Sequence, residues 1–157
     1  MQRKVDLLLE EYGESHQNRL NKAVHWICVP MIMFSLLGLL YSIPFFGHRT
    51  FISNWAFVFS IFAILYYLRL SRSMFLGFTP IALLLVYLNH ELYLYLNESA
   101  TALAKVSVLI FAVAWVGQFI GHHIEGKKPS FLKDVQFLLV GPAWLLHFVF
   151  VRLNIRY

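Results

Sequence analysis

The sequence has one cysteine, few charges and no long polar stretch, and each of these scarcities removes a class of protein. Cys28 sits in an apolar run, so the chain can form no internal disulfide and offers no CxxC element for zinc or thiol redox chemistry. Any metal must therefore be held by His, Asp or Glu. Charged residues make up 13% of the 157 residues and apolar types 59%, against roughly 45–50% apolar in soluble domains. The mean hydropathy is +0.64, which argues against a water-soluble fold. Repeats, low-complexity tracts and long linkers are absent, which points to a single integral membrane domain over residues 1–157. No cationic start, short apolar core and small-residue cleavage site opens the chain, so no removed signal peptide is expected. Basic residues outnumber acidic ones by 13 to 8. They gather at the ends of apolar runs rather than in one patch interleaved with exposed aromatics, which argues against nucleic acid as a partner.

What the chain has in abundance is apolar runs of near-membrane length, at 24–43, 51–70, 74–96, 103–120 and 131–151. A bilayer core of about 30 Å needs roughly 20 apolar residues in a helix. The expected fold is thus all-α, a polytopic membrane helix bundle of about five hydrophobic helices. The fifth run carries Lys133 and Asp134 near its start and Gly141-Pro142 in its middle, so it is open to a re-entrant or interfacial placement. Ahead of the runs, Val5, Leu8, Leu9 and Tyr12 fall at helical spacing opposite Asp6, Glu10 and Glu11, which predicts a short amphipathic helix on the membrane surface, ended near Gly13. Asn18 and Asn21 are candidate caps for the first span. Pro30, Pro80 and Pro142 lie inside apolar runs, and Gly117 and Gly121 form a GxxxG face that permits close helix approach.

Lysine and arginine set the expected orientation. Arg3, Lys4, Arg19, Lys22, Arg69, Arg72, Lys127, Lys128 and Lys133 fall on one side of an alternating topology, and Arg49, Lys105, Arg152 and Arg156 on the other. The positive-inside rule then puts the N-terminus in the cytoplasm, and five spans put the C-terminus outside. The membrane would be a bacterial inner membrane or the endoplasmic reticulum.

Seven histidines are many for a chain with so little aqueous surface, and polar groups at a membrane boundary are costly enough to be functional suspects. On the expected topology His16, His25, His122 and His123 share the cytoplasmic interface. His48 and His147 fall at the opposite face, and His90 in the outer part of the third span. His16 and His25 are nine residues apart, which at about 100° per residue puts them on opposite faces of a continuous helix, so they converge only if the chain breaks between them. His122 and His123 diverge by one such step. Gln118, His122 and Glu125 share a face, which makes His122 the inward candidate. A metal site built from His16, His25 and His122, with Glu125 and His90 as further candidate ligands, is one reading. The other is interfacial decoration, since histidine and tryptophan often line membrane boundaries. The HxxxH and HxxHH spacings of membrane di-iron enzymes do not occur, and no tract suggests a slot for haem.

Two stretches carry a family resemblance. Residues 12–44 contain an HxNxxNxxxH element from His16 to His25, followed by Val29-Pro30, and residues 118–142 contain the Gly121-His122 pair. In these the chain resembles the Mpo1-like proteins. The resemblance implies an iron(II)-dependent membrane dioxygenase that shortens 2-hydroxy fatty acids by one carbon, with dioxygen as co-substrate. By position it implies His16, His25 and His122 as the essential histidines and leaves His123 outside the motif. The short loops resemble the family's bacterial branch. Arg19, Lys22, Lys127 and Lys128 are the cations placed to attract a substrate carboxylate, although such residues also pair with lipid phosphates. A non-catalytic scaffold or carrier with structural or metal-binding histidines is the competing reading.

Overall fold

A computed structural model describes residues 3–126 and 131–156, with backbone alone over 131–137. It contains six helices: α1 (Lys4–Gly13), α2 (Arg19–Ser42), α3 (Trp55–Leu70), α4 (Arg72–Tyr95), α5 (Ala100–Glu125) and α6 (Phe131–Arg152). Among the described residues there is no strand. Helices α2, α4 and α5 are long and apolar enough to cross a membrane, while α3 and the apolar part of α6 are shorter. Four of the helix starts are fixed by side-chain caps. Asn18 accepts from the Leu20 amide, Asn54 from the Phe57 amide, Ser71 from the Met74 amide and Ser99 from the Ala102 amide, each satisfying a donor that the first turn leaves open. The Asn54 cap shortens α3 at its start relative to the apolar run that contains it. Asn21, the other candidate cap, lies inside the first turn of α2 and is fully buried.

Helix α2 is the axis of the bundle, packed against α3, α4, α5 and α6. Its most extensive neighbour is α5, and glycine is what lets the two approach. A Cβ on Gly117 would stand 2.6 Å from Cys28 Sγ, one on Gly121 2.4 Å from Asn21 Oδ1, and one on Gly38 2.2 Å from Ser107 Oγ. Two apolar clusters mark the two ends. Val29, Tyr67, Met74 and Phe78 pack together near the start of α2, and Leu37, Tyr41, Ala56, Val86, Tyr93 and Leu103 near its end. The chain therefore alternates direction from α2 to α5, and the start of α2, the turn between α3 and α4, and the end of α5 share one end of the bundle.

Two sequence expectations are corrected at that end. The buried face of α1 is Val5, Leu8, Leu9 and Tyr12 as its periodicity implies, but this face is covered by Val140, Ala143 and Trp144 of α6 rather than left for lipid. Helix α6 also fails to deliver the chain to the far side. Leu146 and Phe150 pack against Gly77 in the second turn of α4, and the Ser73 hydroxyl donates to the Arg156 carbonyl at 2.6 Å. The described chain ends where α4 begins, at the same end as the start of α2. The half-buried His147, expected at the opposite face, lies at this end too, within the field of Asp6 on α1. The cause is tertiary: the aromatic and branched side chains of α6 find their partners on α1 and α4.

Candidate metal centre

His16 lies in the turn between α1 and α2, His25 two turns into α2, and His122 in the last turn of α5. Their candidate ligand atoms all lie within 4.8 Å of one another. Among the described residues this is the one group of three or more His, Cys, Asp or Glu side chains so arranged. His16 and His25 are 3% and 1% exposed, so two rings of ordinary aqueous chemistry have been taken out of water. The break between α1 and α2 makes the convergence possible, since the chain turns at residues 14–18 and brings His16 back over the first turns of α2.

Hydrogen bonds decide which nitrogens face inward. His16 Nδ1 is 2.6 Å from the Tyr12 carbonyl and His25 Nδ1 is 2.9 Å from the Asn21 carbonyl. A carbonyl oxygen only accepts, so each Nδ1 carries the proton and donates it, and each Nε2 is left with a lone pair. These two Nε2 atoms are 2.8 Å apart. Two lone pairs at that separation repel unless a cation or a shared proton lies between them. Burial opposes the proton: desolvation lowers the pKa of His16 from 6.5 to about 4, with the neighbouring His122 acting in the same direction. A metal ion resolves the contact, because two nitrogens at right angles around an ion with bonds of about 2.1 Å stand ~3 Å apart. Three neutral imidazoles are a donor set suited to iron, zinc, copper or nickel.

The surroundings hold the rings. Tyr12 stacks on His16 with centroids 4.2 Å apart and planes 11° from parallel, and Trp144 of α6 lies 5.2 Å away. Glu125 ties the turn to α5: it accepts from the Gln17 amide at 2.8 Å, the Asn18 amide at 2.9 Å and Asn21 Nδ2 at 3.0 Å. The structure thus places Glu125 as a clamp on the segment between His16 and His25. His90 is not brought to the triad. Its Nδ1 is 2.7 Å from the Tyr41 hydroxyl, at the other end of the bundle. His123 and His48 are exposed. Arg19 is exposed and Lys22 half-buried at the start of α2, while Lys127 and Lys128 lie outside the described residues. The sequence did not single out Tyr12 or Trp144 as walls of the site. Tyr12 was legible as the residue one turn before His16 on the apolar face of α1, whereas nothing in the pattern of α6 aims Trp144 here.

Two results are expected from this geometry. Glu125→Ala removes the acceptor of three donors and frees the turn carrying His16, so metal affinity should fall by about 10–100-fold, as for other groups that orient a ligand. Competition with a graded series of chelators measures this, and an unchanged affinity contradicts the clamp. Acid should destabilise the metal-free protein over a defined window. His16 titrates at about 4 when folded and at 6.5 otherwise, so the unfolded chain binds more protons between those values. Thermal melts should therefore be flat above about pH 6.5 and decline as the pH falls toward 4, less steeply for His16→Gln.

A helical bundle with three helices apolar enough to cross a membrane and a cluster of three histidines at one end defines a class, that of helical membrane proteins whose side chains could hold a metal ion. Within it the chain belongs to the Mpo1-like family, since the family model described as "2-hydroxy-palmitic acid dioxygenase Mpo1-like" matches residues 3–153. One relative is the 2-hydroxy-palmitic acid dioxygenase MPO1 of Saccharomyces cerevisiae. It is 28% identical over 137 residues, covering 86% of this chain and 73% of the yeast protein. No solved structure matches the chain.

Proposed function

We propose that this protein is an iron(II)-dependent dioxygenase that shortens 2-hydroxy fatty acids by one carbon, with the ion held by His16, His25 and His122. The observation that carries the reading is the pair of Nε2 lone pairs 2.8 Å apart in a buried site, in a chain whose yeast relative is named for this activity. The imidazole set alone does not choose among metals, and iron is favoured because dioxygen chemistry needs a redox-active ion.

The net reaction balances without another reductant. The 2-hydroxy acid and dioxygen give the acid one carbon shorter, carbon dioxide and water. The C1–C2 bond breaks, the substrate loses four electrons, and dioxygen accepts them. Bound iron(II) supplies the coupling between dioxygen reduction and that cleavage. The chain's own residues do the rest. The Tyr12 and Asn21 carbonyls hold the protons on Nδ1, so that both Nε2 atoms face the centre. The Tyr12 and Trp144 rings shield His16 from water. Lys22 lies close enough to His16 for its charge to be felt there, and with Arg19 it attracts the substrate carboxylate.

The test uses purified protein reconstituted with iron(II), exposed to dioxygen and a panel of 2-hydroxy acids. The expected product is the acid one carbon shorter, formed with carbon dioxide and abolished by a chelator. Failure to form it from any acid, with iron bound, contradicts the proposal. A scaffold or carrier role predicts that failure together with metal-free protein.

The orientation is proposed on charge. The return of α6 puts Arg152 and Arg156 at the triad end, leaving Arg49 and Lys105 as the cations of the opposite end. The triad end is therefore assigned to the cytoplasm. Reporters fused to either terminus should both read as cytoplasmic, and opposite readings for the two contradict the return of α6.

A further inference from the structure

The proposed reaction uses the head of the acid and says nothing of where its tail lies. Between α2, α3, α4 and α6 there is a narrow, partly open apolar slot. Met33 and Leu37 line it from α2, Ala63 from α3, Phe78 and Ala82 from α4, and Leu139 from α6. The one hydroxyl in the lining, that of Ser60, donates to its own helix at the Ala56 carbonyl, 2.8 Å away. The slot thus has no free polar group to offer, and its ligand must be a hydrocarbon.

Two of its walls are also walls of the triad. Along α2, Met33 follows His25 by eight residues and Leu37 by twelve, which places the slot ~12–18 Å from that ring along the helix axis. Along α6, Trp144 lies against His16 and Leu139 lines the slot, five residues or ~7.5 Å apart. An acid whose carboxylate is held at the triad by Lys22 reaches this depth only if its chain is long. Ala63 and Ala82 are the smallest side chains of the lining, 7% and 2% exposed, so they are what leaves the space open.

We propose that the slot between α2, α3, α4 and α6 receives the acyl tail of the 2-hydroxy acid, and that Ala63 and Ala82 set the longest chain accepted. The proposal rests on the dioxygenase reading for the identity of the head group. Its test separates the two. Parent, Ala63→Phe, Ala82→Leu and Phe78→Ala proteins, loaded with iron(II), are assayed on saturated 2-hydroxy acids from octanoic to octadecanoic. One methylene in an apolar pocket is worth on the order of tenfold or more in specificity. The ratio of kcat/KM on the longest acid to that on the shortest should therefore fall at least tenfold in Ala63→Phe and Ala82→Leu, and rise in Phe78→Ala. A second measurement needs neither turnover nor a folded variant: metal-free parent protein is photolabelled with a 2-hydroxy acid bearing a terminal diazirine, and the adducts are mapped by mass spectrometry. Label on Phe78 or Leu138 is expected. Label confined to outward-facing residues such as Phe62 and Leu84 overturns the slot, as does an unchanged chain-length ratio in variants that turn over. Absence of turnover on every acid by the parent sinks the dioxygenase reading instead, and the labelling then decides the slot by itself.

Discussion

Replacing His16, His25 or His122 with alanine is expected to abolish iron retention and turnover while the protein still assembles as a monodisperse bundle in detergent. Each substitution removes one of three nitrogens that lie within 4.8 Å of one another, and a metal site that loses one of three protein ligands loses most of its affinity. The bundle survives because its largest contact, α2 on α5, is made by Gly117, Gly121 and Gly38 and the side chains they admit, none of which is changed. The losses should be alike in the three variants. His123→Ala and His48→Ala, at exposed positions outside the cluster, should retain turnover within about tenfold of the parent, a barrier change of ~1.4 kcal/mol or less. His147 is not a suitable control, since α6 brings it back to the triad end. Iron content, size-exclusion profile and turnover of the five variants measure this. Loss of iron in His123→Ala with retention in His122→Ala contradicts the assignment on α5.

A comparable loss is expected from one methyl group. In Gly121→Ala the new Cβ would stand 2.4 Å from Asn21 Oδ1 and 3.3 Å from Val24 Cγ1, and neither can yield easily. Asn21 is fully buried, its amide donates to Glu125 and to the Ser15 carbonyl, and its backbone carbonyl holds the His25 ring. Either α2 and α5 separate, which moves His122 away from His25, or Asn21 releases Glu125, which frees the turn of His16. A shift of about 1 Å at a reacting centre costs on the order of a hundredfold, while overpacking of this kind costs ~1–3 kcal/mol of stability. Gly117→Ala, one turn deeper against Cys28 Sγ at 2.6 Å, has the same packing consequence away from the rings. It should lose stability but keep most of its turnover, and Cys28→Ala added to it should restore the stability. If Gly121→Ala behaves like Gly117→Ala, the α2–α5 contact is not what positions the triad.

These arguments show which parts of the molecule its sequence makes readable. The helices follow from the lengths of the apolar runs, and the buried face of α1 follows from a spacing that admits no other face. The meeting of His16 with His25 was readable only as a condition, that the chain break between them, and the turn at 14–18 meets it. The role of Asn21 was not readable, because capping is local while its bonds to Ser15 and Glu125 span a turn and a second helix. For α6 the sequence left a span and a re-entrant or interfacial placement both open, and could not choose between them for a similar reason. Hydropathy reports how apolar a helix is, but its direction is set by where Trp144, Leu146 and Phe150 find partners, and those lie on α1, α4 and the triad turn. Correcting α6 also moves Arg152 and Arg156 to the triad end, which leaves the charge asymmetry larger than an outward C-terminus implies.

The central claim, that three imidazoles hold the iron, is tested most directly by X-ray absorption at the iron edge of the reconstituted protein. The account predicts multiple scattering from three imidazole rings in the parent and from two in any His122→Ala protein that is driven to bind iron at high concentration. A first shell of oxygen with no imidazole signal, or an imidazole count that His122→Ala leaves unchanged, contradicts it.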